Sequence, residues 1–425
     1  GVRPAPTERP GDPAAVSVPT VDPALVPEPA AGTVPDHHRF PNLDGMRAIA
    51  ALSVLVYHVV GTYSLVEQRR QPWGFIFTFG NFGVSIFFLL SGFLLYRPFV
   101  LAHLRDVAAP RLGAFWKRRF FRIFPAYWVA VTVAILLFHE ARIHSLKDLL
   151  TVYLLLQSYR RGWILIGLGV EWTLVIEVSF YLLLPFIALA IRALSRRATD
   201  ARARVRVQVA SVAALYVGAL VYRWRALYVL APHARASREW FPTSQLDHWI
   251  FSYMDWFAIG MLLAVGSAWV AVGGRVPWPV RALARRPWIS WLLALECFVV
   301  VQQLHLPPSA FDPVTRVQSF GTVVGFGLTA AFLLLPMVYG DQSQGSIRRT
   351  LSTRFVTWLG VISYGIYLWH IVVVDEIKQL ARDGHFPVQL WLWFAVTVTV
   401  ALTAAAASYR FVEQPVIRLS HRGRD

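Results

Sequence analysis

The chain contains a single cysteine, Cys297, in 425 residues, which excludes a disulfide framework and a metal site built from cysteines. Charged residues are also scarce: they make up 15% of the chain, whereas hydrophobic residues make up 56%. No P-loop, dinucleotide-binding glycine pattern, HExxH or GxSxG occurs, so the sequence lends no support to an ATP-driven motor, a zincin or a serine hydrolase. We expect no metal site and no permanently bound cofactor. The composition is typical of a polytopic membrane protein.

Hydrophobic segments long enough to cross a bilayer predict an all-α bundle of ten transmembrane helices. These segments cover about 46–64, 79–99, 120–138, 164–192, 207–223, 249–272, 287–304, 319–340, 355–375 and 389–408. Segment 146–159 is short and amphipathic at its start, and we predict that it is re-entrant or interfacial. Residues 1–40 are rich in proline and alanine without periodicity, which predicts a disordered tail before a transmembrane domain at 41–410 and a basic tail at 411–425.

Basic residues are distributed unevenly between the predicted loops. Segments 105–119, 192–206, 275–286 and 341–354 are rich in arginine, and their only acids are Asp106, Asp200 and Asp341. The loops on the other side mix both signs. The positive-inside rule therefore predicts that the arginine-rich loops and both termini are cytoplasmic. The same distribution accounts for the formal net charge of +17 without a nucleic-acid partner.

Arg47 and His58 are the first candidate site residues. Eleven residues correspond to about three helical turns plus 20°, so the two side chains share one helix face. His58 lies ~16 Å deeper than Arg47, about half the thickness of the hydrocarbon core. A histidine at that depth either performs chemistry or forms a hydrogen bond with a neighbouring helix.

Glu177 is the second candidate. It lies ~22 Å from the arginine-rich end of its predicted span, within about a turn of the depth of His58. A glutamate that orients a histidine is an arrangement suited to general-base chemistry. A structural Glu–His pair or the proton relay of a transporter would explain the same residues.

Further polar residues lie near the opposite end of the predicted bundle. His370 is a candidate interfacial, acceptor-binding or second catalytic histidine, and Asp255 could form a hydrogen bond with a polar substrate. We expect Glu171 to be solvated or to cap a helix, and Glu296 has no assignment. At the arginine-rich end, Lys117, Arg118, Arg119 and Arg122 alternate with aromatic residues. Such a cluster orients a membrane protein, and it would also suit a phosphorylated cosubstrate.

Six motifs occur along the chain in a fixed order. They are Arg47 with His58 in Arg-x10-His, Phe87–Phe93 (FFLLSGF), Arg119–Pro125 (RFFRIFP), Trp172–Glu177 (WTLVIE), Ser363–His370 (SYGIYLWH) and Tyr409–Pro415 (YRFVEQP). With these motifs, the chain over about residues 40–420 resembles the membrane-bound acyltransferase family 3. Members of that family are O-acyltransferases of bacterial surface polysaccharides, lipids and some antibiotics. Gln414 departs from the basic residue that is usual in the family before the proline.

The resemblance implies a function and roles for these residues. The expected cosubstrate is an acyl-CoA with a short acyl group, such as acetyl-CoA. The expected acceptor is a hydroxyl of a cell-envelope glycan or glycolipid. Arg47, Arg119 and Arg122 would bind the donor, and His58 with Glu177 would activate the acceptor hydroxyl. We expect the acceptor to approach past Trp172, Asp255 and His370. No SGNH-type domain follows the tenth predicted span, so we expect the stand-alone form of the family.

The resemblance also implies a multi-pass protein of the bacterial plasma membrane, in contact with its lipids. Two alternatives remain at this point. One is an acyltransferase that tailors a secreted antibiotic, which changes only the acceptor. The other is a proton-coupled transporter or flippase, in which the buried histidine and glutamate form a relay, although no internal repeat supports it.

Overall fold

The computed structural model describes residues 40–67, 82–138, 143–160, 166–228, 248–304, 315–340 and 345–421, together with Gly1, Gly80 and 162–164. Within these residues all regular structure is helical, which confirms the all-α prediction for this part of the chain. The helices are α1 (Pro41–Glu67), α2 (Phe82–Leu104), α3 (Leu112–Phe138), α4 (Leu146–Tyr153), α5 (Trp172–Leu194), α6 (Ala201–Tyr228), α7 (Ile250–Ala271), α8 (Trp278–Arg285), α9 (Pro287–Gln302), α10 (Arg316–Tyr339), α11 (Ser346–Leu351), α12 (Arg354–Val361), α13 (Ser363–Arg382), α14 (Leu390–Ser408) and α15 (Gln414–His421). A π-helical turn, Tyr409–Glu413, joins α14 to α15.

Eight helices in the described part of the chain are long and apolar enough to cross a membrane: α1, α2, α3, α5, α6, α7, α10, and α14 with its continuation. The predicted span 355–375 is broken, because α12 and α13 meet at a bend of 66°. Counting this pair as one span gives nine. The predicted span 287–304 corresponds to α9, which has only 16 residues. A polytopic bundle fits these lengths, but the predicted count of ten is not confirmed.

One predicted span differs from the structure at its start, and the segment before it does not cross. The predicted span 164–192 begins too early, because the helix starts only at Trp172. Gly167 and Gly169 precede it with φ of +107° and +79°, a backbone region that favours glycine over other residues. Segment 146–159 forms the eight-residue helix α4 and a 3-10 turn, too short to cross a bilayer. The indole of Trp128 on α3 donates a 2.9 Å hydrogen bond to the Tyr153 carbonyl, which holds the end of α4 against α3.

α2 lies at the centre of the bundle. In the most apolar stretch of 18 residues in α2, 83% is buried, whereas the corresponding share in α6 is 17%. Two glycines allow α2 and α7 to pack backbone against backbone. A Cβ added at Gly92 would lie 2.3 Å from the carbonyl oxygen of Phe257, and one added at Gly260 would lie 2.0 Å from that of Leu89. Neither position has room for a larger side chain.

α1 packs against α12, α13 and α14. A Cβ at Gly360 would lie 2.0 Å from the backbone oxygen of Asp44, so α12 touches the start of α1 directly. A Cβ at Gly365 would similarly lie 2.9 Å from Ala405, where α13 meets α14. These contacts place the α1 residues Arg47 and His58 beside α13.

The predicted disordered tail at 1–40 lies outside the described residues except for Gly1 and Phe40. Residues 422–425 of the predicted basic tail also lie outside them. The first part of that tail, from position 411, belongs to the π-helical turn and to α15.

Candidate active site

Arg47, Arg119 and Arg122 line a single pocket between α1, α2, α3, α5 and α13. Arg119 and Arg122 lie three residues apart on α3, so they project from one helix face, and Arg47 comes from the second turn of α1. The other lining residues are Val84, Phe87, Phe88, Ser91, Ile123, Thr173, Leu174, Glu177, Tyr181, Ser363, Tyr364 and Tyr367. Among these residues, three guanidinium groups face one carboxylate, so the pocket favours an anionic ligand.

Each of the three arginines has a different partner. Arg47 forms a 3.5 Å ion pair with Asp44, one turn earlier on α1. Arg122 Nη1 lies 3.5 Å from Oε2 of Glu413, whose side chain is only 1% exposed. The guanidinium of Arg119 lies 5.8 Å from the ring centroid of Tyr181, and its buried Nε has no hydrogen-bond partner in the described part of the chain. A ligand with acceptor oxygens would satisfy this donor.

Glu177 lies in the same pocket as the arginines. Its Oε1 accepts a 2.7 Å hydrogen bond from the Ser91 hydroxyl and a second hydrogen bond from the Tyr181 hydroxyl. Among the described residues no hydrogen bond joins Glu177 to His58, so the direct contact that we predicted between them is not formed. Both residues lie near mid-membrane by sequence, but Glu177 faces α2, whereas His58 faces α13.

His58 instead pairs with His370, and the two imidazoles come from α1 and α13. His370 Nε2 lies 3.1 Å from His58 Nδ1, and the ring centroids are 5.0 Å apart. His370 is completely buried, whereas His58 is partly exposed. His370 was predicted to lie on the acceptor side, and the structure brings it into direct contact with His58.

Tyr367 connects the arginine-lined pocket to the two histidines. Its ring lines the pocket and lies 5.8 Å from the ring of His370 and 6.2 Å from that of Phe87. Its hydroxyl is fixed by a 2.8 Å hydrogen bond to the Val170 carbonyl and a 2.6 Å hydrogen bond with Thr173. The pocket and the histidine pair are therefore neighbouring parts of one site.

The predicted acceptor-side residues occupy separate places. Trp172 contacts His248 and Tyr253, with ring centroids 4.7 Å and 5.5 Å away. Tyr253 in turn lies 5.7 Å from Phe88, which lines the pocket, so an aromatic cluster extends from Trp172 to the site. Asp255 is 1% exposed, and its Oδ1 has no hydrogen-bond partner in the described part of the chain. It does not line the pocket.

Glu171 is fully buried, so the predicted solvated role is wrong. Its Oε1 accepts hydrogen bonds from the Leu168 backbone amide, at 2.9 Å, and from the Gln157 side chain, at 3.1 Å. Its side chain forms no capping hydrogen bond at the start of α5. Glu171 instead fixes the irregular segment between α4 and α5.

Sequence reasoning missed three groups of the site: Ser91, Tyr181 and Glu413. Ser91 lies in the FFLLSGF motif and Tyr181 lies on an apolar helix, and only the structure shows that both bind Glu177. Glu413 had a recognisable signal, because it is an acid among the basic residues of the C-terminal segment. Its π-helical turn is itself a feature that often marks functional regions.

Comparisons with known proteins find similar sequences over nearly the whole chain. The family model described as "Acyltransferase domain" matches residues 40–410. A putative peptidoglycan O-acetyltransferase of Bacillus subtilis strain 168 is 28% identical over 89% of this chain and 55% of its own length. Nodulation protein 10 of Rhizobium leguminosarum is 27% identical over 89% of this chain and 93% of its own length. A putative O-acetyltransferase of Staphylococcus aureus strain COL is 23% identical over 88% of this chain and 57% of its own length.

This chain therefore spans little more than half of the Bacillus and Staphylococcus relatives and almost all of the Rhizobium protein. No solved structure matches it. The family model covers far more than half of the chain and includes every predicted site residue. The chain belongs to the membrane-bound acyltransferase family 3.

Proposed function

We propose that this protein transfers an acyl group, acetyl or another short one, from acyl-CoA to a hydroxyl of a cell-envelope glycan or glycolipid. The observation that carries the proposal is the arginine-lined pocket beside the pair of His58 and His370. In this arrangement, a phosphorylated donor in the pocket would lie next to a base that activates the hydroxyl. The names of the Bacillus and Staphylococcus relatives, each a putative O-acetyltransferase, support the same chemistry.

The donor would bind with its phosphates among Arg47, Arg119 and Arg122. Guanidinium groups stay charged in every environment and match phosphate oxygens with paired hydrogen bonds. The helix rise between Arg47 and His58 is ~16 Å, which an extended pantetheine arm can bridge. The phosphates would then remain at the arginine-rich end while the thioester reaches the histidines past Tyr367.

The chemical step requires one base and one leaving group. A ring nitrogen of His58 takes the proton of the acceptor hydroxyl, and the oxygen attacks the thioester carbonyl. The C–S bond then breaks, the ester forms, and the imidazolium returns the proton to the CoA thiolate. Glu177 would fix the hydroxyls of Ser91 and Tyr181 in the donor pocket.

The acceptor would approach from the end opposite the arginines, along the aromatic cluster from Trp172 to Phe88. Aromatic faces pack well against the apolar faces of sugars. The arginine-rich loops support a cytoplasmic donor side and cytoplasmic termini in a bacterial plasma membrane. In this orientation the acyl group crosses the membrane while CoA does not.

The test is CoA release by the purified protein in lipid nanodiscs, with acetyl-CoA as donor and an envelope glycolipid extract as acceptor. His58→Ala should lower turnover by about 10²–10⁴-fold, the usual contribution of a general base. His385→Ala is the matched control, because His385 is exposed in the turn after α13. Near-wild-type turnover by correctly folded His58→Ala would remove His58 from the mechanism. Mass spectrometry of the products identifies the acceptor.

A further inference from the structure

Each ring of the histidine pair faces a backbone carbonyl of its own helix. His370 Nδ1 lies 3.0 Å from the carbonyl oxygen of Ile366, and His58 Nδ1 lies 3.0 Å from that of Val54. The rings meet where His370 Nε2 and His58 Nδ1 are 3.1 Å apart. Since a carbonyl oxygen only accepts hydrogen bonds, these contacts determine where the ring protons lie.

A neutral imidazole carries one ring proton. The proton of His370 must lie on Nδ1 to reach the Ile366 carbonyl, so its Nε2 carries a lone pair. That lone pair accepts a hydrogen bond from His58 Nδ1–H, which is shared with the Val54 carbonyl. In the reverse arrangement, both Nδ1 lone pairs would face carbonyl oxygens at 3.0 Å, which is repulsive. His58 Nε2 is therefore left unprotonated.

We propose that His370 is a positioning residue, which holds His58 in the tautomer whose Nε2 acts as the base. This inference rests on the proposed function and adds the group that prepares the base. When His58 takes a proton at Nε2, its Nδ1–H still donates to His370, so the imidazolium keeps its partner. His370 thus does what the buried aspartate does for the histidine of a serine protease.

An uncharged partner suits this location. His370 is completely buried, and an isolated carboxylate there would carry a large desolvation cost. Four charged residues follow His370 on α13, namely Asp375, Glu376, Lys378 and Arg382, and the first and third of them are paired with each other at 2.8 Å. The hydrogen bond from His58 to His370 therefore fixes the tautomer through a neutral acceptor.

Two substitutions separate positioning from simple packing. His370→Gln keeps an acceptor near the position of Nε2, whereas His370→Phe keeps a ring of similar size without one. We expect His370→Phe to lower kcat by about 10–10²-fold with KM for acetyl-CoA unchanged, because only part of the general-base effect is lost. His370→Gln should restore most of kcat. His103→Gln is the control: it alters another buried histidine, bound to Ser195 and Gln208, and should leave kcat within about twofold of wild type.

A second readout does not depend on activity. In ¹⁵N NMR spectra of histidine-labelled protein in nanodiscs, His58 should show a protonated Nδ1 and an unprotonated Nε2. His370→Phe leaves only the Val54 carbonyl as an acceptor for Nδ1–H, so the fraction of the Nε2–H tautomer should rise. An Nε2–H tautomer of His58 in the wild type would overturn the proposal, as would equal kcat losses in the Gln and Phe variants. If the protein proved inactive on acyl-CoA while His58 kept the expected tautomer, the proposed function would fail and the positioning role would stand.

Discussion

The ion pair between Arg122 and Glu413 joins the arginine-lined pocket to the C-terminal segment. Arg122 Nη1 lies 3.5 Å from Glu413 Oε2, and Arg122 Nη2 also reaches the Val361 carbonyl at 3.4 Å. The two carboxylate oxygens of Glu413 are buried without hydrogen bonds in the described part of the chain. Arg122 is then the group that compensates the Glu413 charge, and Glu413 holds Arg122 in the wall of the pocket.

The strength of this pair follows from its distance and exposure. Two unit charges about 4 Å apart attract each other by roughly 4 kcal/mol at an effective dielectric constant of 20. The Arg122 side chain is 27% exposed, so water screens part of that attraction. We expect a coupling free energy of about 1–2 kcal/mol, between the values for exposed and for buried pairs.

A double-mutant cycle with Arg122→Met and Glu413→Gln measures this coupling in the free energy of unfolding. Glu413→Gln should also raise KM for acyl-CoA by about 5- to 30-fold, the factor that corresponds to 1–2 kcal/mol, because Arg122 leaves the pocket wall. Glu296→Gln is the control, since Glu296 is an exposed glutamate on α9. Additive effects of the two substitutions would show that Arg122 and Glu413 are not coupled, and an unchanged KM in Glu413→Gln would show that Glu413 does not hold Arg122 in the pocket wall.

Three further changes test other parts of the structure. Glu177→Gln should change KM for acyl-CoA more than kcat, and a kcat loss as large as that of His58→Ala at constant KM would indicate that Glu177 acts on the base. Hydrogen bonds to the Asp148 carboxylate lower its pKa to about 2, and the bond with Ser145 has the largest effect. The protection of α4 from hydrogen exchange should therefore persist above pH 4 and be lost as the pH falls toward 2. Gly260→Ala should destabilise the protein by about 1–3 kcal/mol in thermal unfolding, because the added Cβ meets the backbone of α2. Gly113→Ala on α3, where nothing lies within 4 Å, is its control.

The membrane helices could be predicted from hydropathy, because a long apolar run has few alternatives to a helix in a bilayer. Their ends were less predictable. Hydropathy treats Gly167 and Gly169 as part of an apolar run, although their positive φ angles break the helix there. The bend between α12 and α13 lies where Gly360 packs against the backbone of Asp44, and that contact depends on the packing of two distant segments.

The sequence predicts most residues of the site, but it does not predict which of their side chains contact each other. Arg47, Arg119, Arg122 and Glu177 do share one pocket. Depth along a helix cannot show which neighbour a side chain faces, and for this reason His58 was matched with Glu177. Which helices are neighbours is decided by packing over the whole bundle, as in the close approach of α2 to α7. The contact between His58 and His370 joins positions 312 residues apart, and no local pattern reveals it.

In the function that we propose, the donor binds at the arginine-rich end and transfers its acyl group beside His58. The most direct test uses sealed vesicles in which the protein has one orientation, with the exposed end identified by labelling. Acyl-CoA, which does not cross the membrane, is supplied to one face and the acceptor to both. We expect turnover only when acyl-CoA is on the arginine-rich face. Turnover supported solely from the opposite face would place the donor site at the other end of the bundle.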